Sequence, residues 1–497
     1  MSASDGGETL GKRAMRAVAW GYGGTAVRMA MQVGAQAVLA RLLGPQEFGI
    51  FSALMLLASV AVLAADLVSA PIIQAAELSP AQLRFACACQ FVGSVFVAGL
   101  VMACLPLCQR IFPDEAGLGL GLALMAAGTL FTGLSGVALS LLRRKLRYKE
   151  IQLTQLIGYF AGYVLVAIPL GLLGLHTFHV LVVAWLAQAL ISSLLLFYYE
   201  PHSLKMSFDA RAHWAFLKFG VQISWGNLAN WLSSSLDRVL VAKLGSPADI
   251  GYYNTMLNLL MTPVAQVAAS LNTVAFSVSS QASVERRREG AQTYLNLTAL
   301  TCALLYGALA SFPSSLVSLI YGARWPGASA YVEPFCLAAV GFAVGAAANA
   351  VLTSTGKGAA VALVQTASAL LILLAVLVTV RHSVVAAAYG VAGVYVVRAL
   401  GLSLLSLKHV GASSVELLRL LGIPILLSAG QTVLARLLAH SLALTHPLAQ
   451  LGLAGLGATI VLLATLQWRQ HLLPPGTGAL LTRLLKRRPG SKLSEKA

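Results

Sequence analysis

The chain has 497 residues, 58% of them hydrophobic and only 10% charged, with a formal net charge of +17. Soluble proteins carry about 25% charged residues, so a soluble globular domain is excluded, and the recurring long apolar runs predict an all-α polytopic membrane protein. Those runs also exclude a transmembrane β-barrel, whose strands alternate over about ten residues, and the basic excess sits at helix ends and in short loops, as membrane-orienting charge does and nucleic-acid-binding charge does not.

In chain order, the polar start ends in Lys12, Arg13 and Arg16 without a small-residue cleavage site, which reads as a retained N-terminus. Fourteen apolar spans follow, near 17–40, 48–70, 84–106, 117–142, 151–173, 177–199, 214–237, 250–278, 291–312, 331–353, 359–380, 384–407, 415–438 and 448–467. Each approaches the ~20 residues a bilayer needs. Span 1 carries Arg28, Gln32 and Gln36 on one helical stripe. Charge at the bilayer centre costs at least ~2.5–3.5 kcal/mol. Arg28 therefore reads as a cation lining a cavity, with pairing to a neighbouring helix as the alternative. Span 2 carries Ser52, Ser59 and Asp66 on one face; Asp66 is an ion or proton site, a partner to a cation, or a solvated helix end.

Joining spans 1 and 2 is Leu39–Phe51, LARLLGPQEFGIF, which recurs 202 positions later without a gap. Arg41 becomes Lys243, Glu47 becomes Asp249 and Phe51 becomes Tyr253, while Pro45 and Gly49 persist as Pro247 and Gly251. This marks an internal duplication, a common feature of transporter folds. The loop RRKLRYKE (143–150) after span 4 reads as an orienting patch that could also meet anionic lipid headgroups.

Span 7 is the most polar helix. Asn227, Asn230, Ser234, Asp237 and Arg238 fall within an arc of about 100°, and Asn230 occupies the duplicated position of Arg28. Asp237 and Arg238 read either as a site or as a helix end touching water. Span 8 adds Asn254, Asn258, Gln266 and Asn272, with Pro263 as a kink. Arg398 and Arg436 read as snorkelling cations. Spans 13 and 14 carry few polar groups and read as lipid-facing. The six cysteines lie in or near apolar helices and read as small buried hydrophobes rather than a metal site. No histidine belongs to a nucleophilic or metal-binding constellation.

With the N-terminus placed in the cytoplasm, 25 Lys and Arg face inward and 6 outward. That predicts that both termini face the cytoplasm. Spans 1–6 and 7–12 then enter the membrane in the same sense, as parallel repeats. The expected organisation is a six-helix lobe over 1–199, a cytoplasmic linker over 200–213, a second six-helix lobe over 214–410, two additional transmembrane helices over 411–468 and a basic tail over 469–497. Substrate is expected to pass between the lobes.

The segments ARLLGPQEFGIF, LLRRKLRYKEIQL and DRVLVAKLGSPADIGYY resemble those of bacterial polysaccharide transporters. These are the Wzx-type lipid-linked oligosaccharide flippases of the multidrug/oligosaccharidyl-lipid/polysaccharide (MOP) superfamily, and the resemblance spans essentially the whole chain. It implies a flippase, not an enzyme, that carries undecaprenyl-pyrophosphate-linked oligosaccharide from the cytoplasmic to the periplasmic leaflet by alternating access, for O-antigen or exopolysaccharide synthesis. It further implies a polysaccharide polymerase and a chain-length regulator as partners, besides membrane lipids. Arg28 then takes the place of a cavity arginine that holds the pyrophosphate. The substrate-binding candidates are Arg28, Gln32, Gln36, Asn227, Asn230, Ser234, Arg238 and Asn258. Asp66 and Asp237 are the candidates for coupling to H⁺ or Na⁺ alongside the membrane potential. No cofactor, metal or catalytic residue is expected. The rivals are a cation-coupled multidrug exporter of the same superfamily, which predicts acidic, aromatic-lined pockets, and a membrane polysaccharide polymerase or ligase, which predicts a large catalytic loop that this sequence lacks.

Overall fold

The structure is a computed structural model that describes residues 10–59, 61–75, 77–279, 284–354, 357–409 and 414–468. All regular structure among the described residues is helical. Two compact units emerge, Met1–Asn254 and Thr255–Ala497.

The first unit holds α1 (Leu10–Leu43), α2 (Pro45–Ser59), α3 (Ala61–Gln74), α4 (Pro80–Ala103), α5 (Leu105–Ile111), α6 (Leu118–Leu134), α7 (Gly136–Arg144) and α8 (Tyr148–Tyr159). A π-helical stretch (Phe160–Ala167) then leads into α9 (Ile168–Leu172), followed by α10 (Phe178–Tyr199) and α11 (Trp214–Leu244). α12 (Pro247–Ser279) begins in the first unit and continues into the second. The second unit adds α13 (Val284–Ser311), α14 (Pro313–Tyr321), a 3-10 turn (Pro326–Tyr331), α15 (Val332–Ser354), α16 (Gly358–Thr379), α17 (Val384–His409), α18 (Ser414–Ser441) and α19 (Pro447–Trp468).

Helix thus occupies every apolar span of the sequence, and ten helical segments among the described residues are long and apolar enough to cross a membrane. The four spans outside those ten are spans 1, 2, 7 and 8, which carry most of the deep polar residues. The chain is a multi-pass membrane protein.

The duplicated segment has a structural consequence. Its two copies meet at the starts of α2 and α12, glycine against glycine. A Cβ on Gly49 would lie 1.8 Å from the Pro247 carbonyl oxygen, and one on Gly251 would lie 1.9 Å from the Pro45 carbonyl oxygen. The contact is reciprocal, as expected where a repeat axis passes between two equivalent turns. Only residues without a side chain allow backbones this close. The copies have diverged beside it. Asp249 and Ser246 cap α12 mutually, with the Asp249 N–H reaching Ser246 Oγ at 3.2 Å and the Ser246 N–H reaching Asp249 Oδ2 at 3.3 Å. In the first copy Gly44 (φ 100°) replaces the serine, and Glu47 instead accepts the Phe178 backbone N–H at 2.5 Å. That N–H is one of the orphan donors at the start of α10, a favourable place for a carboxylate.

Inside the first unit α11 packs along α3, α1 along α8, and α10 against α6 and α8. Most of the basic loop after α7 is engaged in holding helices together. Arg144 donates to the carbonyls of Ile72 (2.7 Å) and Ala75 (2.5 Å), closing the end of α3. Lys145 and Arg147 flank Glu200 at 2.5 and 3.5 Å, and the Lys149 ammonium stands 5.5 Å from the Trp20 ring centroid.

Two sequence expectations are corrected in the second unit. Span 13 is not merely lipid-facing. On α18, Ser428, Thr432 and Arg436 recur every fourth residue and donate to the carbonyls of Ala303 (2.6 Å), Gly307 (3.1 Å) and Ser311 (2.9 Å), every fourth residue of α13. Where no water competes, such a ladder is a workable glue between helices. Arg436 accordingly does not snorkel free: its Nη2 donates to the Ala310 carbonyl at 2.9 Å and pairs with Glu333 at 2.8 Å. Pro263 lies inside α12, which runs on as one helix through it, and the Tyr306 hydroxyl of α13 donates to the nearby Leu260 carbonyl at 2.7 Å.

Candidate functional site

Arg28 is half-buried on α1, and its Nη1 donates to Gln155 Oε1 of α8. Its Nε is buried without a partner among the described residues. Gln155 in turn lines a partly open cavity of about 440 Å³ formed by α2–α4, α6–α8 and α10, all in the first unit. The first sequence candidate therefore reaches the wall of an interior space through one hydrogen bond.

Much of the cavity wall is carbon, from residues such as Met55, Leu139, Ile151 and Leu196. Into that surface project hydroxyls whose single hydrogens are already committed. Ser94 donates to the Gln90 carbonyl (2.6 Å), Thr129 to Ala126 (2.7 Å), Ser140 to Gly136 (2.8 Å) and Ser193 to Phe131 (2.8 Å). A hydroxyl bonded this way keeps its acceptor lone pairs free. Ser59 is held from outside the cavity: the Trp231 indole N–H on α11 donates to its Oγ at 2.9 Å. Trp185 stands against bare backbone, since a Cβ on Gly128 would come within 2.2 Å of its ring.

The other sequence candidates are placed as follows. Gln32 and Gln36 are part-buried on α1, and Asn227 is part-buried on α11. Ser234 is exposed and donates to the Trp231 carbonyl at 3.1 Å. Arg238 turns back along its own helix, with Nη2 on the Ser234 carbonyl at 2.9 Å and on Ser235 Oγ at 3.3 Å. Asn258 is exposed and belongs to the second unit. The side chains of Asp66 and Asn230 lie outside the described residues. Asp237 corrects one expectation. It is not a helix end in water but only 6% exposed, and it accepts the Tyr253 hydroxyl at 2.8 Å. The first repeat has Ala35 and Phe51 at those two positions, so the buried acid–phenol pair belongs to one copy alone.

The sequence profile of a family described as "Polysaccharide biosynthesis protein" matches residues 38–330. The chain belongs to that family. Among solved structures, this polysaccharide biosynthesis protein is similar to the lipid II flippase MurJ in an inward closed conformation, at 14% identity and a TM-score of 0.70, over 90% of this chain and 98% of that one. It is also similar to a multidrug resistance MATE family transporter of the MOP superfamily in an inward-facing conformation (13% identity, TM-score 0.56, 76% and 94% of the two chains). A third likeness is to a MOP superfamily transporter from Pyrococcus furiosus (14% identity, TM-score 0.52, 80% and 96%). No curated protein matches by sequence. The expected all-helical fold is therefore present, and it is the fold of those solved transporters.

Sequence reasoning about this polysaccharide biosynthesis protein missed the cavity because it followed charges and amides on spans 1, 2, 7 and 8. The cavity groups are mostly Ser and Thr on spans 3 to 6, residues that back-bond to their own helices and read as ordinary. A signal was present in the helical spacing of Thr129, Thr132, Gly136 and Ser140, and of Gln188 and Ser192.

Proposed function

We propose that the protein is a flippase that moves undecaprenyl-pyrophosphate-linked oligosaccharide from the cytoplasmic to the periplasmic leaflet of the bacterial inner membrane, by alternating access between two six-helix lobes (1–199 and 214–410), for surface polysaccharide synthesis. The observation that supports it most is the polysaccharide-biosynthesis profile over 38–330 on a fold shared with a lipid II flippase. Charge supports it further. Arg28, Arg238 and Arg398 each have a buried Nε that finds no partner among the described residues, whereas Asp237 already holds the Tyr253 hydroxyl. An excess of under-satisfied guanidinium suits a phosphorylated anion, to which arginine offers bidentate, charge-assisted bonds, better than a cationic drug. The inward excess of Lys and Arg supports cytoplasmic termini.

Deletion of the gene followed by analysis of lipid-linked intermediates tests the reading. Undecaprenyl-linked oligosaccharide should build up on the inner leaflet; normal glycans with altered drug resistance would instead establish the multidrug exporter. In proteoliposomes, Arg28→Ala should slow transport by about tenfold or more, the weight of one charge-assisted hydrogen bond. An unchanged rate would remove Arg28 as the pyrophosphate clamp.

A further inference from the structure

The cavity of the first unit has features that packing alone does not account for. Thr154 lines it, is 1% exposed, and its Oγ1 has no partner among the described residues. Gln90, also 1% exposed, leaves both amide atoms unpartnered beside Gly136, another lining residue. Such groups in a membrane lobe are costly unless something meets them. Arg143, at the end of α7, is the one cation of the RRKLRYKE run that lines the cavity; its carbonyl accepts the Leu146 N–H at 3.0 Å, and its side chain has no hydrogen bond or ion pair among the described residues. No carboxylate among the described residues lines the cavity, a wall better suited to a neutral or anionic ligand than to a cation.

What would satisfy this wall is constrained by its chemistry. The back-bonded hydroxyls offer lone pairs and therefore favour a ligand rich in O–H donors. The Gln155 and Gln188 amides can return N–H donors. The indole of Trp185 and the surrounding carbon suit a flat C–H face. At about 440 Å³ the space falls within the ~300–1,000 Å³ of small-molecule sites. A pyranose ring has this character, polar around its edge and apolar on its faces. We propose that the cavity of the first unit is a saccharide subsite that receives one sugar unit of the carried glycan against Trp185, with Thr154, Gln155 and Gln188 on its hydroxyls and Arg143 beside it. This rests on the reading of the protein as a glycan carrier.

The test uses the full-length protein in proteoliposomes and, as probe, the lipid-linked glycan that accumulates in the deletion strain, labelled separately in its sugars and in its isoprenoid. Trp185→p-benzoylphenylalanine, irradiated, should capture the sugar label, and Leu190→p-benzoylphenylalanine, exposed on the same helix, should not. Thr154→Val, nearly equal in volume, should weaken apparent affinity for the probe by about tenfold with the melting temperature retained. Wild-type protein that fails to move the probe would overturn the carrier reading and the subsite with it. Wild-type protein that moves it, while position 185 captures only isoprenoid or nothing and Thr154→Val binds normally, would overturn the subsite alone.

Discussion

At the scale of the residue, the diverged positions of the two repeats make the sharpest tests. Tyr253 gives its hydroxyl to buried Asp237. Tyr253→Phe should strand the acid and destabilise the protein by about 1–3 kcal/mol. Adding Asp237→Ala recreates the Ala35 and Phe51 pair of the first copy and should recover most of that loss. Thermal melts of the purified single and double variants close the cycle, and additive losses would mean that the two groups do not interact energetically. Glu47 sits at the helix junction rather than within a span. Burial pushes its carboxyl above the ordinary 4.5, the Phe178 N–H opposes that shift, and nearby Glu115 adds to it. A native pKa above the unfolded one means that the native state holds the proton more tightly. The associated stability is complete below pH 4.5 and is lost as pH rises through the raised native value. Glu47→Gln should flatten that slope in melting temperature against pH, and a variant with the parent's slope would assign it to another group.

At the scale of the element, glycine and hydroxyl placement decides which helices can approach. Gly49→Ala puts a methyl into the Pro247 carbonyl and forces apart two turns that contain no soft side chain, an overpacking cost of about 1–3 kcal/mol. Gly34→Ala on α1 meets nothing within 4 Å and should be neutral or stabilising, by up to about 1 kcal/mol from helix propensity. Comparing the two in detergent melts separates the crossing from a general intolerance of alanine; equal effects would show that the crossing is not tight in solution. The ladder from α18 to α13 belongs to the same scale. Its members, Ser428, Thr432 and Arg436, lie on a span whose few polar groups give it a lipid-facing look in sequence. Their acceptors are backbone carbonyls, which no sequence pattern reveals.

At the scale of the whole molecule, a pyrophosphate cargo of about two negative charges gains roughly 4–5 kcal/mol by crossing a 100 mV inside-negative field. Imposing about 60 mV across proteoliposomes should therefore shift the leaflet distribution of the lipid-linked glycan outward by roughly a hundredfold. A distribution indifferent to the field would mean that the charge does not cross it uncompensated. The sequence by itself determined the membrane class, the positions of the helices and the duplication, because each rests on local hydropathy or on identities at a fixed offset. It also singled out Arg28, because a charge within an apolar run is conspicuous without any coordinates. Only the tertiary structure decided that Arg28 meets Gln155, that Asp237 is buried under Tyr253, that Arg436 is tied to α13, and that hydroxyls from several helices surround one interior space. Each of those depends on which helix faces stand opposite one another, and that choice is made by packing between segments far apart in the chain.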